Sequence, residues 1–376
     1  MQLIDTHAHV NFNAFKDDGE EVLRRCFEAG MSVVNVGSQY STSKRAVEYA
    51  HKFANFKRDN PLDPIFPLNP LEPPESISLI NPLNPLNPLN PIIPLNPLKS
   101  SENISPLNPF IPLNPLEPSE NISPHNPLNP LGIYAAIGIH PVHLKKGSFT
   151  HQDPWEIDEE ESASSAGTKI PTVGETFDYA KYLDLAQDEK VVAIGEVGLD
   201  YHHFEENDDI EFLKNLQKET LVKFIQLANE VQKPVMIHCW GVKSSKELDH
   251  ARTDAYDDLL EILEKHPVAK KGIIHSFIGS YKTANKFITL GYKLGLNGII
   301  TYGDGYDRLI KEIDLKNIVL ETDCPYLTPR PLEKGTRNEP LFVSHVAQKI
   351  ADVKGTSIEE VAKVTSQNAK EILRLF

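Results

Sequence analysis

Positive charge is the first thing this 376-residue chain lacks. Its 38 Lys and Arg face 53 Asp and Glu, a formal net charge of −15. That balance excludes a broad basic surface for holding nucleic acid, though not a nucleic-acid enzyme whose local positive charge comes from bound divalent ions. Cysteine is scarce too. Cys26, Cys239 and Cys324 are odd in number and far apart, which rules out a disulfide framework or a zinc-knuckle spacing and suits a reducing compartment. No uninterrupted apolar run nears the ~18 residues of a membrane span. The first residues enter a strand pattern directly, with no basic stretch and apolar core of a signal peptide. The expectation is a cytoplasmic protein with no membrane contact and no stable protein partner implied.

What the chain has in excess is proline, and most of it in one place. Of 29 prolines, 20 fall within residues 61–131, where "NPLNPLNPLNP" recurs in pieces and "SENISP" appears twice. Proline lacks the amide donor and disfavours helical geometry in its predecessor, so this window suits neither helix nor sheet interior. Its three-residue period matches polyproline II. The duplications favour an expanded low-complexity insert over a designed spacer or a ligand for a proline-reading domain.

Outside that insert, 40% hydrophobic content suffices for one large domain, and short β-branched runs alternate with amphipathic segments. Strands are expected at 2–9, 32–38, 134–140, 191–200, 234–239, 272–277, 292–297 and 318–323. Eight parallel strands interleaved with helices predict an α/β fold, the (β/α)8 TIM barrel, whose catalytic groups sit at the C-terminal strand ends. Those ends carry His7 and His9 ("DTHAH"), His140, Glu196, His238, His275 and Asp323. Residues i and i+2 of a strand share a face, so His7 and His9 project together. A lone histidine at a strand end is commonly a satisfied core residue. Acidic or imidazole groups at six of eight strand ends are a metal centre.

Four or more imidazoles with two carboxylates exceed what one tetrahedral ion uses. They suit two divalent ions (Zn, Mn or Mg) about 4 Å apart, a pair that acidifies a water and stabilises attacking and leaving oxygens. Phosphoester hydrolysis is the natural chemistry. Glu196 is the expected bridging and catalytic carboxylate, and Asp323 a ligand able to accept the water's proton.

The same motifs resemble the TatD family of metal-dependent deoxyribonucleases. "DTHAHVNF", "GIHP" (138–141), "GEVGLDY" (195–201), "VMIHC", "IHSFIGS", "ETDCPYLTP" (321–329) and "RNEP" (337–340) are similar to its motifs and stand in its order. The resemblance covers nearly all the chain outside three inserts. It implies an amidohydrolase-like TIM barrel spanning 1–376, interrupted by the 61–131 insert and a 145–175 acidic loop. It implies a DNA substrate, cleavage by an exonuclease, and metal ligands at His7, His9, Glu196, His238, His275 and Asp323. His140 falls near the metals or on a substrate phosphate. One departure concerns the family's H-x-R-x-A pattern after the fifth strand. Here the strand runs into "CWGVKSSKELDHARTDA", so the phosphate-meeting residue becomes Arg252, or Lys243 in its stead. Tyr201 and His202, after the fourth strand, are further candidate substrate contacts. Cys324 is read as packing.

The barrel topology places 61–131 at the end opposite the site, and the acidic loop and the insert after the fifth strand at the mouth. Other hydrolases share such a centre, so a deacylase, phosphotriesterase or lactonase is the alternative reading. A non-catalytic scaffold working through the proline segment has no use for the full ligand set.

Overall fold

Short runs of Val, Ile and Ala bounded by Gly and polar turns form the strands, as expected of residues that favour a pleated, buried surface. The computed structural model describes residues 2–54, 132–151, 168–241, 254–333 and 335–375. The 61–131 insert, Lys243 and Arg252 lie outside the described residues. In chain order the elements are β1 (Ile4–Ala8), α1 (Gly19–Glu28), β2 (Ser32–Val36), α2 (Tyr40–Lys52), β3 (Ile133–Ile137), β4 (Lys146–His151), β5 (Thr168–Val173), α3 (Tyr179–Ala186), β6 (Val191–Asp200), α4 (Ile210–Glu230), β7 (Val235–Trp240) and α5 (Asp254–Lys265). They continue with β8 (Gly272–Ile274), α6 (Tyr281–Thr289), β9 (Lys293–Leu296), α7 (Asp307–Glu312), β10 (Ile318–Leu320), α8 (Val343–Lys354) and α9 (Ile358–Leu373).

Eight strands form one parallel sheet in the order β1-β2-β3-β6-β7-β8-β9-β10. Closure runs between β1 and the stretch after β10. The amide of Asp323 donates to His7 O at 2.9 Å and that of His9 to Cys324 O at 2.9 Å. Thr6 Oγ1 donates to Leu320 O at 3.0 Å. This is the expected (β/α)8 barrel. Two strands are shorter than expected. β8 ends at Ile274 and β10 at Leu320, because Ser276 (φ 48°) and Asp323 (φ 58°) turn into the left-handed region, which Asp tolerates through local hydrogen bonding. The turn at Asp323 redirects its amide onto β1.

Apolar packing occurs in two layers. Inside the barrel Ile4, Val34, Val36, Ala136, Met236, Ile273 and Val319 meet Ala369, Leu373 and Leu375 from the C-terminal end. Each large aliphatic side chain buried there contributes roughly 1.5–3 kcal/mol. A larger layer joins the outer strand faces to the helices and includes Phe15, Phe224, Phe287 and the buried Cys324, so that cysteine packs as expected. Asp209, Ser280 and Ser357 cap α4, α6 and α9 by accepting from backbone amides, satisfying donors that a helix start leaves unpaired.

The edges of the predicted acidic loop are ordered differently from a simple loop. β4 and β5 pair antiparallel, Lys146 opposite Val173, and the acidic stretch between them lies outside the described residues. No helix among the described residues is long and apolar enough to cross a membrane.

Candidate metal centre

The barrel brings its histidines and carboxylates to one point at the C-terminal strand ends. Tight strand approach requires glycine beside the central carboxylate. A Cβ on Gly138 would lie 2.6 Å from Glu196 O, and one on Gly198, at φ 152°, would lie 1.9 Å from His238 O. Only glycine lets β3, β6 and β7 approach this closely.

Glu196, buried in that gap, faces five imidazoles with its two oxygens divided between them. Its Oε2 lies 3.5 Å from His7 Nε2 and 3.7 Å from His9 Nε2. Its Oε1 lies 3.2 Å from His238 Nδ1, 3.3 Å from His275 Nε2 and 3.5 Å from His140 Nε2. Asp323 Oδ1 is 3.2 Å from His9 Nε2 and 3.8 Å from His7 Nε2, and its Oδ2 is 3.9 Å from His275 Nε2. All six expected ligands therefore converge.

The outward nitrogens assign the tautomers, since a neutral imidazole that donates through one nitrogen offers a lone pair at the other. His9 Nδ1 meets Val36 O at 2.9 Å. His238 Nε2 meets Asp200 Oδ2 at 3.0 Å. His275 Nδ1 faces Glu321 Oε1 at 3.1 Å. In their neutral forms His9 and His238 thus aim a lone pair at the centre, and the Glu321 carboxylate beside Nδ1 favours the same form of His275. His140 is the opposite case. Its Nδ1 accepts from the Val142 amide at 3.2 Å, so its Nε2 carries the proton and points it inward. His140 stands close enough to group with Glu196 and His238, yet its hydrogen bonding makes it a donor rather than a ligand.

Electrostatics follow from burial and neighbours. Burial alone would lower His238 and His275. The neighbouring Asp200 and Glu196 carboxylates instead lift His238 to about 9, and those of Glu321 and Asp323 lift His275 to about 10. Burial lowers His7 and drops His140 well below the usual imidazole range. Burial would raise Glu196 and Asp323, but the surrounding histidines outweigh it and hold both carboxyls below their ordinary range.

The donor set fits divalent metal ions. His238 Nδ1 is buried and has no aligned hydrogen-bond partner, an arrangement that is unfavourable unless something binds there. The imidazole and carboxylate donors of His7, His9 and Asp323 lie within 4.8 Å of one another, as do those of His7, His275 and Glu321, and Glu196 stands as close to His238. Imidazole with carboxylate suits Zn, Mn or Co as well as Mg.

Tyr201 corrects an expectation. Its ring is 1% exposed, stacks on Phe204 and donates to Asp258 Oδ2 at 2.7 Å, so it packs between β6 and α5 rather than meeting substrate. The carboxylates behind the ligands were missed. Asp200, Glu321 and Asp5 are all buried. Asp200 bridges His238 and His203, and Asp5 accepts from the amides of Thr322 and His7. The available signal was a carboxylate at the end of "GEVGLD" and two residues before each of His7 and Asp323.

The "RNEP" segment supports the site from outside. Asn338 Nδ2 donates to Thr322 O at 2.9 Å and Tyr326 O at 2.6 Å, holding the turn that presents Asp323. Arg337 forms a two-pronged pair with Asp18, and Glu339 joins it to Arg25.

A family model described as TatD related DNase matches residues 4–57 and 125–374. The chain belongs to the TatD family. The uncharacterized metal-dependent hydrolase YabD of Bacillus subtilis is 36% identical over 246 residues, 65% of this chain and 78% of its own. Deoxyribonuclease TATDN3 of Homo sapiens is 35% identical over 189 residues, 50% of this chain and 61% of its own. The 3'-5' ssDNA/RNA exonuclease TatD of Pantoea sp. is 31% identical over 199 residues, 51% and 69% respectively. The crystal structure of YJJV, a TatD homolog from Escherichia coli K12, shares the fold with a TM-score of 0.57 at 21% identity, covering 98% of this chain and 97% of that one. This TatD chain is thus a metal-dependent hydrolase by family.

Proposed function

We propose that this TatD chain is a deoxyribonuclease that hydrolyses phosphodiester bonds at DNA ends with two divalent ions. The observation that carries the reading is the division of Glu196. One oxygen faces His7 and His9, the other faces His238 and His275, the arrangement of a carboxylate shared between two neighbouring ions. In this reading His7, His9, His238, His275, Asp323 and Glu196 would hold the ions. When bound, such ions polarise the phosphoryl oxygens and make a water acidic near neutrality.

The protein's own groups do the rest. Asp323 is the most open of the central carboxylates, its side chain 14% exposed against 4% for Glu196, so water reaches it. Held as a carboxylate, it accepts the proton of the attacking water. His140 donates its Nε2 proton to a phosphate oxygen, orienting the scissile group. The backbone amide of Val142 keeps that proton on the inward nitrogen.

The test is nucleotide release from end-labelled single-stranded DNA, with and without chelator, restoring Mg, Mn or Zn in turn, beside a Glu196→Ala control. Metal-restored release that the variant lacks is the expected result. No release by a folded, metal-loaded protein overturns the reading in favour of an ester or amide substrate.

A further inference from the structure

One feature of the mouth plays no part in metal binding. Trp240 ends β7 two residues past His238, on the same strand face, with the two ring centroids 5.7 Å apart. Trp240, Ile299 and Leu327 form an apolar cluster, and Ile278, Tyr302, Tyr306 and Tyr326 pack around it half-buried. The cluster draws on the end of β7 and the segments after β8, β9 and β10, so it lines one side of the mouth. Tyr326 carries it to within 6.5 Å of the His9 ring. A second observation is independent of shape. The Trp240 indole Nε1 is buried without a hydrogen-bond acceptor among the described residues, whereas a buried tryptophan N–H usually finds one.

Resting on the nuclease reading, we propose that Trp240 and its tyrosines form a nucleobase subsite beside the scissile phosphate. The half-buried Tyr302, Tyr306 and Tyr326 supply the aromatic faces, backed by Trp240, on whose ring His203 stacks at 6.0 Å. Such faces match the flat face of an unpaired base, which stacks whatever its identity. The acidic balance of the chain fits this division of labour, with bound ions meeting the phosphate and rings meeting the base. The indole N–H donates to an acceptor on the bound nucleotide.

The experiment compares metal-loaded enzyme on single-stranded DNA whose terminal nucleotide is intact or abasic. Stacking of one base corresponds to roughly 5- to 150-fold in affinity. Wild-type protein is expected to prefer the intact end by at least about tenfold, mainly through KM. Trp240→Leu and Tyr302→Leu are each expected to shrink that preference towards one. Trp240→Phe, which keeps a ring and removes the donor, falls between. Thermal melts and metal content identify any variant that does not fold, and if Trp240→Leu is one, Trp240→Phe and Tyr302→Leu decide. A wild-type preference near one overturns the subsite, as does an undiminished preference in the folded variants. If wild-type protein releases nothing from either DNA, the nuclease reading fails and the subsite with it. That result is distinct from release without preference.

Discussion

Asp200 and Glu196 grip the His238 ring from opposite sides. Asp200 Oδ2 is 3.0 Å from Nε2 and Glu196 Oε1 is 3.2 Å from Nδ1. Asp200 itself is held by the His203 ring at 2.8 Å, by the His203 amide and through Gln217, whose side chain pairs with the Asp200 backbone. A ligand histidine oriented by a buried carboxylate has its tautomer and ring angle set before metal arrives.

Asp200→Asn therefore tests whether His238 depends on that support. The amide cannot stabilise the same tautomer as strongly, and its NH2 group competes for Nε2. Metal affinity or kcat is expected to fall about 10- to 100-fold. Competition with a graded set of chelators, alongside turnover at saturating metal, separates the two. An unchanged affinity and rate would remove Asp200 from the centre's support.

Gly198→Ala tests the backbone approach. A methyl at φ 152° and 1.9 Å from His238 O forces β6 and β7 apart where both carry site residues. Stability is expected to drop by about 3 kcal/mol or more, within the range of substitutions at special backbone positions. Urea denaturation measures it. A loss under about 0.5 kcal/mol, the range of ordinary surface changes, would mean the strands adjust freely.

How much of this was legible in the sequence depends on what each residue answers to. The eight strands and the convergence of six candidate ligands could be read because alternation and strand-end position are local properties, visible at His7, His9 and Glu196. The role of His140 turned on one backbone amide at Val142, which no pattern in the chain announces. Tyr201 was misplaced because whether an aromatic residue after a strand faces solvent or α5 is decided by long-range packing against Asp258. The supporting carboxylates, Asp200 and Glu321, have meaning only through rings on neighbouring strands. The β4–β5 pairing was hidden because the acidic stretch between those strands dominates the composition of 145–175.

Stability should respond to pH through Asp18 and Arg337. The Arg337 hydrogen bonds, opposed by partial burial, hold the Asp18 carboxyl below its ordinary value. A carboxyl depressed in the folded state contributes stability above its unfolded pKa of about 3.9, and that contribution fades as pH falls through the lower folded value. Asp18 is substantially exposed, so solvent and salt weaken the pair. Arg337→Ala is expected to lose about 1–2 kcal/mol at pH 7, much of it from Glu339, which is buried and keeps Arg25 as its cationic partner among the described residues. The Asp18 share of that gap should disappear below about pH 3. Urea melts of both proteins at pH 7 and pH 3 check the sign. A gap that widens in acid would contradict it.

Removal of the proline-rich segment gives the last expectation. The segment follows α2 and precedes β3, so its attachment points lie at the barrel end opposite the metal centre. At that end His51 of α2 meets Asp188, just before β6, at 2.7 Å, and the Gly132 amide donates to Ser32 Oγ at 3.2 Å. Both contacts hold the flanking chain without residues 61–131. No strand-end ligand depends on a connection at this face, because β3 is paired along its length with β2 and β6. Replacing 61–131 with a short Gly/Ser linker should leave metal content unchanged and kcat/KM within about threefold, a difference of under 1 kcal/mol. Loss of activity from a replacement protein that melts normally and loads metal would mean the segment reaches the substrate, and would return the scaffold-like role of the repeat to consideration.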